Sequence, residues 1–238
     1  MRMPQYKAVP LAERLCKTLH ERHFVGSIRH WLRFSRNVTH AWLWDARHGV
    51  ETRHRVWVGA LGASVSQAEH AIHYEASGTE WVGVMRRLAL SWNNFTFIDL
   101  GSGKGKCLML ASELPFHRII GVELSQKVNE AAAANLHRFR SRNQRCRTIE
   151  LVTSDAASFE FPACPLVIYM FHPFDEVVMR TVVEKIRRSA VEIPREVFVI
   201  YRRPLLRRLF DEVALFQLVD QYHDGVVYSA LASRASCG

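Results

Sequence analysis

No two cysteines in this sequence stand at a metal-binding or redox spacing. Cys16, Cys107, Cys146, Cys164 and Cys237 are odd in number and scattered. That argues against a disulfide framework or a zinc site and for a reducing compartment. Long apolar runs are missing too. The longest clean ones, such as "PLVIYMF", fall far short of the ~20 residues that a membrane-spanning helix needs. The opening "MRMPQYKAVPLAERLCK" has no apolar core of the kind a secretory signal carries, so the expected location is cytoplasmic. Acids are the minority charge: 23 Asp and Glu face 32 Lys and Arg, leaving a net +9. Such an excess suits nucleic acid, an anionic membrane surface or an acidic substrate. Arginine is spread along the whole chain, so the excess reads first as a bias of composition. Internal repeats and low-complexity tracts are absent as well. What remains is 238 residues, 48% of them hydrophobic, which suits one α/β domain with an appendage or two small domains.

The chain has two textures. Residues 1–75 mix Arg and His with apolar residues at helical spacing: Leu11, Leu15 and Leu19 recur every four residues, as do Val38 and Trp42. This predicts a helical N-terminal extension of one or two amphipathic helices. An irregular stretch over "WDARHGVETRHRVWVG" follows, with a turn at His48-Gly49. Residues 76–238 are expected to form the main domain. From Phe95 onward, "FTFID", "RIIGVE", "RTIELV", "PLVIYMF" and "EVFVIY" read as strands. Helices are predicted over "GKCLMLASEL", "SQKVNEAAAANLHRFR" and "DEVVMRTVVEKIRRSA", with Ser125 and Asp175 as caps. "RPLLRRLF" predicts a short helix starting near Pro204, and two last strands meet across His223-Asp224-Gly225. The alternation implies a doubly wound, mostly parallel sheet with one antiparallel strand near an edge. "RIIGV" and "PLVIYMF" are apolar throughout, as strands covered on both faces are.

The stretch "FIDLGSGKGK" carries the chemistry. Three glycines, Gly101, Gly103 and Gly105, follow a strand that holds Asp99 near its end. In a doubly wound sheet this is where ligands bind. A phosphate-binding P-loop needs four residues between its glycines and a Ser or Thr after the lysine; here there are three, and Cys107 stands in that place. A dinucleotide turn needs a third glycine where Lys106 stands, so it is disfavoured. The acids separate the remaining readings. A carboxylate at the loop entry repels a pyrophosphate but attracts the sulfonium and ammonium of S-adenosylmethionine. Glu123 closes the second strand, where an acid accepts ribose hydroxyls. Asp155, after the third strand, is placed to meet an adenine amino group.

"FIDLGSGKGK", "GVELS", "SDAASF" and "LVIYMFHPF" resemble the successive motifs of class I S-adenosylmethionine-dependent methyltransferases. The resemblance runs from about Tyr74 to Ala232 and is closest to bacterial methyltransferase-domain proteins of unassigned substrate. It implies a Rossmann-like fold with a seven-stranded sheet, one strand of it antiparallel. It also implies that Asp99, Gly101, Ser102, Gly103 and Gly105 cradle the methionine part of the donor. Glu123 and Leu124 would hold the ribose, and Asp155 with Ala156 would meet the adenine. Tyr74 or Ser77 would cover the donor carboxylate, with simple packing and capping the plainer role for both.

In amino-directed members of this class the fourth strand ends in Asn or Asp, then Pro, then an aromatic. This chain has His172, Pro173 and Phe174 there. An imidazole would orient a nitrogen or serve as a base; the plain alternative is a cap on the loop, with catalysis lost. The expected acceptor is therefore a nitrogen, on a protein. A cofactor-binding module without turnover and an RNA methyltransferase are the alternatives, with nucleic acid not favoured. Arg138, Arg140, Arg142, Arg145 and Arg147 cluster near a helix end, where they offset its dipole more readily than they bind phosphate. His70 and His73 share a helix face but lack a third ligand, so no metal is expected. The Trp-rich basic stretch "HWLRFSRNVTHAWLW" reads as a lid packed on the domain rather than a membrane-surface helix.

Overall fold

A computed structural model describes residues 39, 41–53, 80–88 and 90–230. The chain divides into two compact units, Met1–Trp44 and Asp45–Gly238; the second holds all that follows. Its elements are α1 (Glu80–Arg87), β1 (Thr96–Leu100), α2 (Lys106–Ala111), β2 (Arg118–Glu123), α3 (Gln126–Arg138), β3 (Ile149–Thr153) and β4 (Leu166–Phe171). They continue with α4 (Glu176–Glu192), β5 (Val197–Arg202), α5 (Arg208–Asp211), β6 (Phe216–Tyr222) and β7 (Gly225–Ala230). One seven-stranded sheet has the order β3-β2-β1-β4-β5-β7-β6. The first five strands pair in parallel, and β7 is inserted antiparallel between β5 and β6. This is the expected Rossmann-like sheet. Strand order reverses between β1 and β4, so the crevice lies beyond their carboxyl ends.

Local chemistry explains the elements. β1 is buried at every residue and β4 at all but its last, which suits strands covered on both faces. α3 starts where the Ser125 hydroxyl accepts from Val128 N–H, and α4 where the Asp175 carboxylate accepts from the Val178 N–H. α4 buries Met179, Val182, Val183, Ile186 and Ala190, one helical stripe against the sheet. Trp81 of α1 is fully buried, with its ring 5.5 Å from Phe97 and 4.8 Å from Tyr169. Each such side chain contributes roughly 1.5–3 kcal/mol on burial.

Two expectations need correction. The helix expected from Pro204 begins at Arg208; residues 204–207 form a turn, in which Leu205 N–H donates to the Arg203 carbonyl. The stretch expected to be irregular at Asp45 is helical over residues 45–48. Asp45 drives this: its carboxylate takes Thr52 N–H at 2.8 Å and Thr52 Oγ1 at 2.7 Å, folding the chain back past Gly49. The predicted helices before residue 39, His70, His73, Tyr74 and Ser77 lie outside the described residues.

Candidate active site

The glycine turn leaves β1 at Leu100 and enters α2 at Lys106. All three of its glycines have positive φ: 81° at Gly101, 53° at Gly103 and 82° at Gly105. Gly101 is also required by contact, since a Cβ there would stand 2.8 Å from Pro173 Cβ. The turn after β1 and the turn after β4 thus touch at a spot with no room for a methyl group. Gly121, in the middle of β2, lets Ser102 and Leu108 lie against the strand, because its Cβ would meet them at 2.9 Å and 2.6 Å. The Ser102 hydroxyl is buried without a hydrogen-bond partner among the described residues.

The predicted acids converge here. Glu123 Oε2 accepts from Gly103 N–H at 2.9 Å, and Oε1 accepts from Ser125 N–H at 3.0 Å. One strand's terminal acid therefore braces the glycine turn and the start of α3 together. Each oxygen keeps lone-pair capacity for another donor. Burial still holds the Glu123 carboxyl above its usual range, against those N–H groups. Asp99 is buried, and both desolvation and the neighbouring Glu123 charge raise its carboxyl well above the ordinary aspartate range. Two acids held this way favour an incoming cation and oppose a pyrophosphate. The residues thus fit S-adenosylmethionine, which supplies an already activated methyl group on a sulfonium.

The lysine inside the turn does not alter that balance. Lys104 Nζ is 2.7 Å from Glu51 Oε2. The Asn135 side chain closes the arrangement: Oδ1 accepts from Glu51 N–H at 3.0 Å, while Nδ2 donates to the Glu51 and Lys104 carbonyls at 2.9 and 3.1 Å. The segment ending in Thr52 is thereby clasped to the glycine turn through α3. Sequence reasoning did not single out Glu51, Asn135 or Asp45. Their signal was present: Asn135 is a polar residue on the buried stripe of α3, with Val128 and Ala132.

Asp155 is half-buried, and its carboxylate accepts from Ala157 N–H at 2.8 Å, shaping its own turn. Ala156 packs in the core, and Leu124 is half-buried between Glu123 and Ser125. At the end of β4, His172 takes a left-handed backbone with φ 37°, a conformation in which His, Asn and Asp are enriched. Its Nδ1 is 2.7 Å from the Tyr201 hydroxyl. Burial and the Arg203 charge lower its pKa, so it is neutral at neutral pH. Phe174 packs against the core rather than standing free. Among the described residues there is no metal-binding cluster, and no helix is long and apolar enough to cross a membrane. Of the arginine cluster, Arg138 and Arg140 donate to the carbonyls of Ala134, His137 and Phe139 at the end of α3.

Residues 71–155 match the model of a family described as "Histone methylation protein DOT1". Among solved structures, a SAM-dependent methyltransferase from Aquifex aeolicus is similar at 13% identity and TM-score 0.49, over 63% of this chain and 89% of that one. A putative RNA methyltransferase from Pyrococcus horikoshii is similar at 18% identity and TM-score 0.48, over 64% and 82%. A ribosomal protein L11 methylase from Lactobacillus delbrueckii is similar at 13% identity and TM-score 0.46, over 68% and 80%. No curated protein matches. The sheet order is that of a Rossmann-like methyltransferase fold, and the glycine turn with its paired acids suits S-adenosylmethionine. The particular likeness to the DOT1 model spans just over a third of the 238 residues.

Proposed function

We propose that this chain transfers the methyl group of S-adenosylmethionine to a nitrogen of a protein acceptor. Asp99 faces the cationic end of the donor, and Gly101, Ser102, Gly103 and Gly105 receive its methionine part. Glu123 and Leu124 take the ribose, Asp155 and Ala156 the adenine, and Tyr74 the carboxylate. His172, Pro173 and Phe174 hold the acceptor. The observation that carries the reading is the contact of the two turns, where a Cβ on Gly101 would stand 2.8 Å from Pro173. An acceptor bound at the β4 turn then lies beside the donor turn, and positioning supplies most of the catalysis. The histone-methylation family model supports a protein acceptor. Nucleic acid is disfavoured because Arg138 and Arg140 are engaged with α3 carbonyls.

Thermal unfolding with S-adenosylmethionine, S-adenosylhomocysteine or NAD tests the donor half. Ligand at a hundredfold over its dissociation constant adds about 2.7 kcal/mol, a shift of roughly 5–10 °C at this length. The first two should shift Tm and NAD should not, and Asp99→Ala or Glu123→Ala should abolish the shift. A shift with NAD alone would overturn the assignment. Transfer of a labelled methyl to protein, lost in Gly101→Ala, tests the acceptor half.

A further inference from the structure

Tyr201 lies in β5 with no exposed surface, and its hydroxyl is buried between two partners. The phenol oxygen accepts from Leu206 N–H at 3.3 Å and lies 2.7 Å from His172 Nδ1. Burial pushes the phenol up to about 12, so it keeps its proton throughout the neutral range. That proton has one acceptor within hydrogen-bonding distance among the described residues, the His172 ring. The opposite arrangement, Nδ1–H donating to the phenol, would leave a buried O–H with nowhere to point. The ring is also held in place. Phe171 pairs with Arg202 in the sheet register. The residues that follow them, His172 and Arg203, both take left-handed backbone, φ 37° and 49°.

We infer that Tyr201 is a positioning residue that fixes His172 as the neutral Nε2–H tautomer, so that His172 meets the methyl acceptor as a hydrogen-bond donor. This rests on the proposed transfer to nitrogen and narrows its substrate class. A donor at this place needs an oxygen lone pair beside the nitrogen to be methylated. A side-chain carboxamide brings one; a lysine amine does not. Donation to the amide oxygen stabilises the negative charge that gathers on it as the N–H proton departs, and that departure frees the nitrogen pair. That pair forms the new N–C bond, the S–C bond breaks with its electrons remaining on sulfur, and the N–H proton leaves to water.

Nitrogen-15 NMR of the full chain with labelled histidine decides the tautomer. The 12 histidines are resolved by subtracting the spectrum of His172→Asn. Above neutral pH the wild-type His172 should show a bare Nδ1 and a protonated Nε2. Tyr201→Phe, which keeps the packed ring, should move both signals toward the averages of a mixed population. A protonated Nδ1 in the wild-type chain would overturn the inference, as would signals unchanged by Tyr201→Phe. If that variant fails to fold, the wild-type spectrum decides alone. Mass spectrometry of acceptor proteins incubated with labelled S-adenosylmethionine tests the substrate class: methyl-glutamine or methyl-asparagine supports it, and methyl-lysine overturns it. The expected tautomer with no methylated product would sink the proposed transfer and leave the role of Tyr201 standing.

Discussion

The two turns that meet at Gly101 and Pro173 are built on opposite plans. The turn after β1, proposed to take the donor, is shaped by what is missing: glycines at three positive φ angles and no side chain at the point of contact. Its charges are braced by backbone, with Glu123 spanning Gly103 and Ser125. The turn after β4, proposed to take the acceptor, is shaped by side chains: an imidazole on a left-handed backbone, tied to a buried phenol. The first plan suits a ligand that is the same in every reaction of this class. The second can be changed one residue at a time, as suits an acceptor that differs from enzyme to enzyme. Donor recognition should accordingly be rigid and intolerant of substitution, and acceptor recognition locally editable.

The largest effect should come from forcing a side chain between the turns. Gly101→Ala adds a Cβ 2.8 Å from Pro173 on a backbone at φ 81°. Left-handed strain costs about 1–2 kcal/mol and overpacking about 1–3 kcal/mol. Thermal unfolding should fall by roughly 5–15 °C at this chain length. Gly83→Ala is the control: it lies in α1 with nothing within 4 Å of the added Cβ, and should stabilise by about 0.5–1 kcal/mol. A Gly101 variant as stable as wild type would break the contrast between the turns. Asn135→Ala should follow. It removes four hydrogen bonds, which tie Glu51, Lys104 and Arg138 to one side chain. The cost should be about 2–3 kcal/mol, read as a lower urea midpoint at unchanged slope. Donor affinity should weaken with it if the clasp serves the glycine turn.

The same contrast decides what the sequence revealed. The donor-side turn was legible because glycine spacing and strand-end acids are local patterns that follow from backbone geometry. The order of strands and helices followed from apolar periodicity. The acceptor side was legible only as a departure, His172 in place of Asn. What that histidine does depends on Tyr201, 29 residues later in the chain, and no local pattern joins them. The clasp was hidden for the same reason: Glu51 and Asn135 lie 84 residues apart. The helix at residues 45–48 was missed because Asp45 reads as a turn former until its Thr52 partner is seen.

A smaller effect concerns pH. Burial and the Glu123 charge raise the Asp99 carboxyl above its unfolded value. Between those two values the folded chain holds more protons than the unfolded one, so stability falls as pH rises from about 4, the ordinary aspartate range, through the folded pKa. The unliganded protein should therefore lose stability from mildly acid to neutral pH. Asp99→Asn should flatten that slope and Glu123→Gln should reduce it, measured as Tm against pH. An unchanged slope in Asp99→Asn would move the origin of the effect elsewhere. Because a bound cation favours the charged carboxylate, donor binding should release protons, by an amount calorimetry in two buffers can read.

The smallest expected effect tests the editable turn. His172→Ala leaves the Tyr201 hydroxyl buried without its acceptor, and Tyr201→Phe removes that hydroxyl. Either change alone should destabilise, and the pair together should cost less than their sum, with a coupling energy of about 1 kcal/mol. His172→Asn should sit between, because Asn also tolerates the left-handed backbone but is too short to replace the ring. Coupling near zero would mean that the 2.7 Å contact contributes nothing in solution, and the tautomer would then have no cause. Coupling of the expected size, together with donor affinity unchanged across all four proteins, would show that the acceptor turn is energetically separate from the donor turn it touches.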